Sequence, residues 1–271
     1  MSYHLVDSGM GEKLEQVGPY LLVRPCMAAV WKKRLNLKEW KSANAQFSRI
    51  KKMEWRGSIP ESWEISYGNL QFLIKPTPFG HLGIFPEQFD QWSWIKQQLQ
   101  GTTLRILNLF AYSGGSTLAA AKEGAQVAHV DASLGMINWA KENTFLNQLN
   151  KAPIRWIAED AMKYIKRCLK RKEQFDGIIL DPPSFGRGKK GEVFKIERDL
   201  NPLLRDCVAL LSKTPRFFLV SCHTPGYTPL VLRNLLAQYF NEKIETGEMI
   251  IQADKTCFSV PSGTFARWTS R

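Results

Sequence analysis

Short apolar runs alternate with segments of helical periodicity from about residue 104 to the C-terminus. This alternation indicates successive βαβ units, which fold into a parallel sheet covered by helices. The predicted strands lie near residues 104–110, 126–131, 153–158, 175–181 and 215–222, and the predicted helices near 115–123, 134–148, 160–172, 197–212 and 227–240. Residues 245–268 predict two more strands, an antiparallel hairpin at the sheet's edge. The pattern predicts an α/β fold of the Rossmann-like class.

The N-terminal part follows a different pattern. Short alternating stretches at residues 20–24 and 70–74 lie among turn residues and predict small strands. A helix is predicted over residues 86–100, between this N-terminal part and the part in which strands and helices alternate. We therefore predict a small β-rich module over residues 1–80 and a Rossmann-like domain over residues 81–271.

The chain is strongly basic, with a formal net charge of +12 over 271 residues. Nine Lys or Arg and two Glu lie between residues 31 and 56, which favours a polyanionic partner such as RNA. Interleaved aromatic side chains offer faces for stacked bases. The alternative is a small sheet whose aromatic side chains face inward while its lysines are solvated. The aromatic residues in question are Trp31, Trp40, Phe47 and Trp55.

Composition also excludes several classes of protein. No apolar run approaches the ~20 residues that span a bilayer, so no membrane association is expected. The polar N-terminus does not resemble a secretory signal. The five cysteines form no C-x-x-C pair, which argues against a disulfide framework and against a zinc site. We expect a cytoplasmic protein without a bound metal.

Three predicted strand ends carry residues suited to an adenosyl cofactor. The first leads into a glycine-bearing turn at Gly114 and Gly115, where a ligand could approach the backbone and the N-terminus of the next helix. The second ends at Asp131, placed to accept ribose hydroxyls, and the third at Asp160. The turn lacks the G-x-G-x-x-G spacing of dinucleotide enzymes, so S-adenosylmethionine fits better. The alternative is that both acids only cap helices. The predicted cofactor residues are Asn108, Phe110, Ala111, Tyr112, Ser113, Gly114, Gly115, Asp131, Ala132, Ser133, Asp160, Ala161 and Asp181.

The fourth strand end predicts the methyl-acceptor site. Pro182 and Pro183 make a rigid turn with free carbonyls, which together with the Asp181 carboxylate could bind an amino-bearing base. Phe185 could stack on that base. A basic loop follows over residues 186–191, at the mouth of the site. A plain strand-ending turn is the alternative. The predicted catalytic residues are Asp181, Pro182, Pro183 and Cys222, and the predicted substrate-binding residues are Ser184, Phe185, Arg187, Lys189 and Lys190.

Two further features have competing interpretations. Cys222 ends the fifth strand, and its thiolate could attack C6 of a pyrimidine and activate C5 for methylation. The alternative is a buried core cysteine. The cations of residues 161–172 are interpreted as a solvated helix face.

These segments resemble class I S-adenosylmethionine-dependent methyltransferases, and more closely the bacterial large-subunit ribosomal RNA methyltransferase group. The matching pieces are LNLFAYSGGSTLAAAKEGA, VAHVDAS, ENTFLNQ, AEDA and LDPPSFGRGKKGEVF. The resemblance implies a seven-stranded methyltransferase sheet, S-adenosylmethionine as cofactor and an RNA substrate. HLGIFPEQFDQW also matches, and in relatives this piece folds over the cofactor, which makes Phe85 and Gln88 cofactor candidates.

The expected function is methyl transfer to a base of structured RNA, most of all ribosomal RNA. One rival is a methyltransferase for a protein or a small molecule. Another is a non-catalytic RNA-binding protein that retains the cofactor fold. A dinucleotide-dependent oxidoreductase is disfavoured by the glycine spacing. The sequence leaves open whether the chain is a monomer or a homodimer.

Overall fold

The chain divides into two compact units in the computed structural model, which describes residues 2–48, 52–188, 191–254 and 257–270. The first unit comprises Met1–Phe89 and Ile250–Ser262, and the second Asp90–Met249 and Gly263–Arg271. The predicted domain boundary after residue 80 therefore differs from this division in two respects. Residues 81–89 group with the first unit, and so does a distant segment near the C-terminus.

The first unit contains a five-stranded sheet and a separate hairpin. The sheet has the order β1-β2-β3-β4-β5, and β6 pairs with β7 in the hairpin. A short helix, α1 (Leu37–Lys41), joins β3 to β4 and allows these two strands to run parallel. A capping box between Asn36 and Glu39 begins this helix. The strands are β1 (Tyr3–Gly9), β2 (Glu12–Val17), β3 (Tyr20–Pro25), β4 (Ala45–Ser48), β5 (Glu54–Gly57), β6 (Trp63–Tyr67) and β7 (Leu70–Ile74).

Two of the four aromatic side chains of the basic stretch are buried, and the other two, Trp31 and Trp55, are half-buried. Trp40 and Phe47 are 6% and 2% exposed. The indole Nε1 of Trp40 donates to Asp7 Oδ2 at 2.9 Å, and that of Trp31 donates to the Ser8 carbonyl at 2.9 Å. The prediction that this stretch offers stacking faces is therefore wrong for Trp40 and Phe47, because the small sheet uses them as its core.

A buried ion pair stabilises the interior of the first unit. Glu15 is fully buried and accepts hydrogen bonds from Arg24 Nε at 2.6 Å and from the Tyr3 hydroxyl at 2.7 Å. Burial raises the pKa of Glu15, but the charges of Arg24 and Lys13 and these hydrogen bonds outweigh it and lower the pKa to about 2. The carboxylate is therefore ionised at neutral pH.

The second unit is built on the predicted parallel sheet, whose strand order is β10-β9-β8-β11-β14-β16-β15. The first five strands in this order are parallel to their neighbours, and β16 runs antiparallel to β14. The predicted strands and the Rossmann-like class are confirmed, with β15 at the edge. The strands are β8 (Arg105–Leu109), β9 (Gln126–Asp131), β10 (Ile154–Ala158), β11 (Gly177–Leu180), β12 (Phe185–Arg187), β13 (Val193–Lys195), β14 (Phe217–Cys222), β15 (Ile244–Ile251) and β16 (Val260–Thr269).

The strand residues that point to either face of this sheet are mostly apolar, and helices cover both faces. One buried cluster joins the strands to Tyr164, Leu203 and Leu232, and another joins them to Ile95 and Ala120. Among the described residues, none of the helices is both long and apolar enough to cross a membrane. A short 3-10 helix (Pro86–Gln88) precedes α2. The helices are α2 (Phe89–Leu99), α3 (Gly115–Lys122), α4 (Leu134–Leu146), α5 (Ala161–Arg171), α6 (Ile196–Val208) and α7 (Pro229–Ala237).

Candidate active site

The carboxyl ends of β10, β9, β8 and β11 meet at one edge of the sheet, because these neighbouring strands are parallel. Asp131 ends β9, and Asp160 and Asp181 follow β10 and β11. Ligands of open α/β sheets bind outside this edge. The structure therefore brings three of the predicted site residues to the same edge.

Asp131 holds two loops of this edge together. Its Oδ2 accepts a hydrogen bond from the backbone N–H of Tyr112 at 3.0 Å, and its Oδ1 accepts one from the N–H of Ser133 at 2.8 Å. Burial raises the pKa of Asp131, while these two N–H groups lower it. Each carboxylate oxygen has a second lone pair, so the side chain still has acceptor capacity for ribose hydroxyls.

The loop between β8 and α3 is conformationally strained. Phe110 and Tyr112 have positive φ angles of 56° and 50°, in the region that L-residues seldom occupy. Gly114 also has a positive φ of 93° and accepts it without a Cβ penalty. Such strain persists only where surrounding contacts hold the backbone, and it concentrates at functional sites.

A buried polar network under this loop was missed by sequence reasoning. Asn108 is 2% exposed and donates from Nδ2 to Thr117 Oγ1 at 2.9 Å. Thr117 Oγ1 lies 2.8 Å from His129 Nδ1, and burial lowers the pKa of His129 to about 3. Asn143 Nδ2 donates to the Ser113 carbonyl at 2.8 Å. Asn108 therefore supports the loop from beneath, and its predicted contact with the cofactor stays a prediction. The polar residue inside the apolar strand at His129 was the available signal.

Gly115 has a packing role, and its predicted role in ligand approach stays a prediction. A Cβ at this position would lie 2.6 Å from Cζ2 of Trp92, which packs from α2 onto the start of α3. At Gly114 a Cβ would lie 3.1 Å from the Cβ of Ala140. Ser113 is only 3% exposed. The glycines of this turn are thus explained by helix packing and by backbone conformation.

A cavity of about 510 Å³ lies beside the ends of β9 and β10. Asp160 stands in its wall and also caps α5, accepting the Lys163 N–H at 3.0 Å. Both predicted roles are therefore compatible, since the second carboxylate oxygen remains. The volume lies within the range of small-molecule sites, and the Asp160 carboxylate in its wall offers an acceptor for an amino group of such a ligand. Other lining residues are Ala132, Trp156, Ile157, Ala158, Glu159, Lys163, Arg167, Gly188 and Glu192.

The acceptor side is formed by the ends of β11 and β14. Asp181 Oδ1 lies 3.5 Å from Nε2 of His223, and Ser184 Oγ lies 2.7 Å from Thr224 Oγ1. Phe185 is 50% exposed, which leaves its ring accessible to a base. Pro182 is buried, whereas Pro183 and Ser184 are exposed.

The basic segment after Phe185 begins in a strand, because Gly186 and Arg187 belong to β12. β12 and β13 pair antiparallel, with Phe185 opposite Lys195 and Arg187 opposite Val193. The guanidinium of Arg187 lies 5.6 Å from the centre of the Phe185 ring. Lys189 and Lys190, predicted to bind substrate, lie outside the described residues.

Cys222 is a core residue. It is 1% exposed and belongs to the buried cluster on one face of the sheet. Burial raises the pKa of its thiol, so the thiolate that a nucleophile requires is disfavoured. This burial favours the alternative of a buried core cysteine, and the nucleophilic role of Cys222 stays a prediction.

The predicted cofactor contacts of Phe85 and Gln88 remain predictions, because both residues belong to the first unit. Gln88 is 6% exposed and lies in the short 3-10 helix, which Phe85 precedes.

A family model described as S-adenosylmethionine-dependent methyltransferase matches residues 12–243. The chain belongs to this family. Its membership confirms the predicted class of fold and the predicted cofactor, S-adenosylmethionine.

Curated relatives carry the name ribosomal RNA large subunit methyltransferase K/L. The Shewanella baltica protein is 36% identical over 146 residues, which is 53% of this chain and 20% of that protein. The Syntrophotalea carbinolica protein is 32% identical over 167 residues, covering 61% and 22%. The chain therefore spans about a fifth of the length of these relatives. Their names match the predicted resemblance to the large-subunit group.

Solved structures agree with the family. The SAM-dependent methyltransferase from Agrobacterium tumefaciens is 37% identical, with a TM-score of 0.95 over 100% of this chain and 91% of that chain. A structure of SMU.776 in complex with SAH is 18% identical, with a TM-score of 0.76 over 98% and 75%. At that identity the second likeness concerns the fold alone.

Proposed function

We propose that this protein transfers a methyl group from S-adenosylmethionine to a base of large-subunit ribosomal RNA, in the cytoplasm. The single observation that carries the proposal is that Asp131 and Asp160, at the ends of β9 and β10, lie at the same edge of the sheet as Asp181 after β11, with only the parallel strand β8 between β9 and β11. The names of the relatives support RNA as substrate. All five cysteines are free, in keeping with a reducing compartment.

The proposed roles of the residues follow from their positions. The cofactor supplies an already activated methyl group, so the protein's contribution is mainly to position the acceptor. Asp131 holds the ribose hydroxyls, and Asp160 lies in the cavity wall, in reach of the adenine. Asp181 and the Pro182 carbonyl orient the acceptor nitrogen, and Phe185 stacks on its base.

We infer that the acceptor atom is a nitrogen rather than C5 of a pyrimidine. Methylation at C5 needs a nucleophile that adds to C6 first. The burial of Cys222, which is 1% exposed, disfavours its attack on a base, and Cys168 and Cys207 are buried as well. The two partly exposed cysteines, Cys26 and Cys257, belong to the first unit. A base nitrogen carries its own lone pair and needs only to be aligned with the methyl group.

The test is mass spectrometry of ribosomal RNA nucleosides from cells with and without this gene. We expect one methylated nucleoside to disappear on deletion and to return with the wild-type gene. A gene carrying Cys222→Ser should also restore it, because the thiol takes no part, whereas one carrying Asp181→Ala should not. Thermal unfolding of both purified variants controls for folding.

Two outcomes would contradict the proposal. If all ribosomal nucleosides are unchanged on deletion while the purified protein methylates a protein or a small molecule, the rival substrate class is correct. If Cys222→Ser folds normally and yet restores nothing, the thiol is essential and the nitrogen assignment is wrong.

A further inference from the structure

Helix α5 has a composition that its packing does not explain. Residues 161–172 contain six cations and no acid. The opposite face anchors the helix, since Tyr164, Ile165 and Cys168 are all fully buried. The cationic face is therefore held in a fixed orientation toward the surface. The six cations are Lys163, Lys166, Arg167, Lys170, Arg171 and Lys172.

Three of these cations are neutralised by glutamates from outside the helix. Lys163 forms an ion pair with Glu192, Arg167 Nη2 lies 2.7 Å from Glu159 Oε2, and Arg171 lies 4.0 Å from Glu173. Within the part of the chain that the structure describes, no carboxylate forms an ion pair with Lys166 or Lys170. Both lysines are exposed.

The unneutralised lysines continue a stripe that begins at the cofactor cavity. Lys163 and Arg167 line that cavity. Positions three and four residues apart lie on the same face of a helix, so Lys166 and Lys170 share this face with them. The stripe from Lys163 to Lys170 extends about 10 Å along the helix axis, at 1.5 Å per residue.

The same stripe adjoins the hairpin formed by β12 and β13, which contains predicted residues of the acceptor site. Glu192, which pairs with Lys163, lies on the connection between β12 and β13, and β12 carries Phe185 and Arg187. Lys166 and Lys170, which form no such pair among the described residues, are four residues apart and repel one another, and a polyanion relieves this repulsion.

We propose that the exposed face of α5, through Lys166 and Lys170, binds backbone phosphates of the substrate RNA next to the nucleotide that enters the site. This inference rests on the proposed function and extends it to a named surface. Phosphate contacts fix the register of a nucleic acid without reading its bases. The α5 face would thus position the RNA, while Asp181 and Phe185 meet the target base.

The experiment compares two double variants that remove equal charge. Lys166→Gln with Lys170→Gln changes the α5 face, and Lys141→Gln with Arg233→Gln removes two exposed cations from α4 and α7. Binding of an in vitro transcript of large-subunit ribosomal RNA is measured by fluorescence anisotropy between 50 and 300 mM salt, values chosen about the range in which phosphate contacts dominate.

We expect the α5 variant to lower the slope of log K against log salt by about 1.4–1.8, since each phosphate contact contributes about 0.7–0.9. At 0.1 M salt this corresponds to binding weaker by about 20-fold or more. The KM for RNA should rise while kcat at saturating RNA is retained. The control variant should match wild type, and both variants should bind SAH with unchanged affinity by calorimetry.

The proposal is overturned if the α5 variant and the control variant have the same salt slope and the same affinity for RNA. Failure of the proposed function has a different signature, which is seen in the wild-type protein: no methyl transfer to RNA and no salt-dependent binding of the transcript. A defect confined to the α5 variant therefore supports both the surface and the function.

Discussion

At the scale of single residues, Asp131 stabilises the loops of the site and is also the residue proposed to bind the ribose of the cofactor. Its carboxylate already accepts the Tyr112 and Ser133 N–H groups, so it organises the loops before any cofactor arrives. The sequence placed an acid at this strand end but could not indicate that both loops depend on it. The hydrogen bond to Ser133 is local, but the one from Tyr112 joins residues 19 apart in sequence, and the strand-end pattern does not reveal it.

Asp131→Asn should weaken binding of S-adenosylmethionine by about 10- to 100-fold, because the loss of charge-assisted hydrogen bonds costs about 1.5–3 kcal/mol. Calorimetry measures the affinity, and Glu248→Gln, at an exposed carboxylate on β15, is the control. An affinity equal to that of wild type would remove the ribose role.

The pH dependence of binding gives a second readout for Asp131. Because burial raises its pKa, affinity should fall with decreasing pH at a higher pH than an ordinary aspartate would give. Stability has the opposite sign: ionisation of this carboxylate costs stability as pH rises from the ordinary pKa toward the raised one. In the Asp131→Asn protein, the pH dependence of the affinity and that of the stability should both lose the part that comes from this carboxylate.

At the scale of elements, Trp92 of α2 packs against Gly115 at the start of α3, next to the loop between β8 and α3. Gly115→Ala should destabilise the protein by about 1–3 kcal/mol, because the new methyl group overlaps the Trp92 ring. Urea unfolding measures the free-energy change. In a Trp92→Leu background the cost of the same substitution should be smaller, since the overlapping ring is gone.

Gly135→Ala in α4 is the matched control for this element. A Cβ there meets only Ser133 Oγ at 3.6 Å, so the change should be neutral or stabilising by up to about 1 kcal/mol. Equal costs at the two glycines, or an unchanged cost without Trp92, would show that crowding by α2 is not the cause.

At the scale of the whole molecule, the first unit is completed by a segment that follows it by some 160 residues, Ile250–Ser262. Within this unit the Phe258 ring packs edge-on against Trp31 at 5.8 Å, and its carbonyl accepts a hydrogen bond from Ser8 Oγ at 3.0 Å. Arg34 lies over the same ring at 4.4 Å. The N-terminal module is therefore not continuous in sequence.

Phe258→Ala should accordingly destabilise the first unit, by about 1 kcal/mol for the lost ring contacts. Hydrogen exchange should then show faster exchange in β1, more than 240 residues away in sequence. Phe145→Ala, at a ring that is 71% exposed, is the control and should leave exchange in β1 unchanged. Unaltered protection of β1 in the Phe258→Ala protein would mean that the segment is not needed.

The sequence by itself determined the sheet, its strand ends and the acids placed on them, because apolar periodicity and strand-ending residues are local properties of the chain. Tertiary structure alone decided three other matters. It sealed Cys222 in the core, turned Asn108 toward Thr117 beneath the loop, and made Gly115 a packing site for Trp92. Each of these depends on contacts between residues distant in sequence, and a residue's type and position do not reveal which neighbours will surround it.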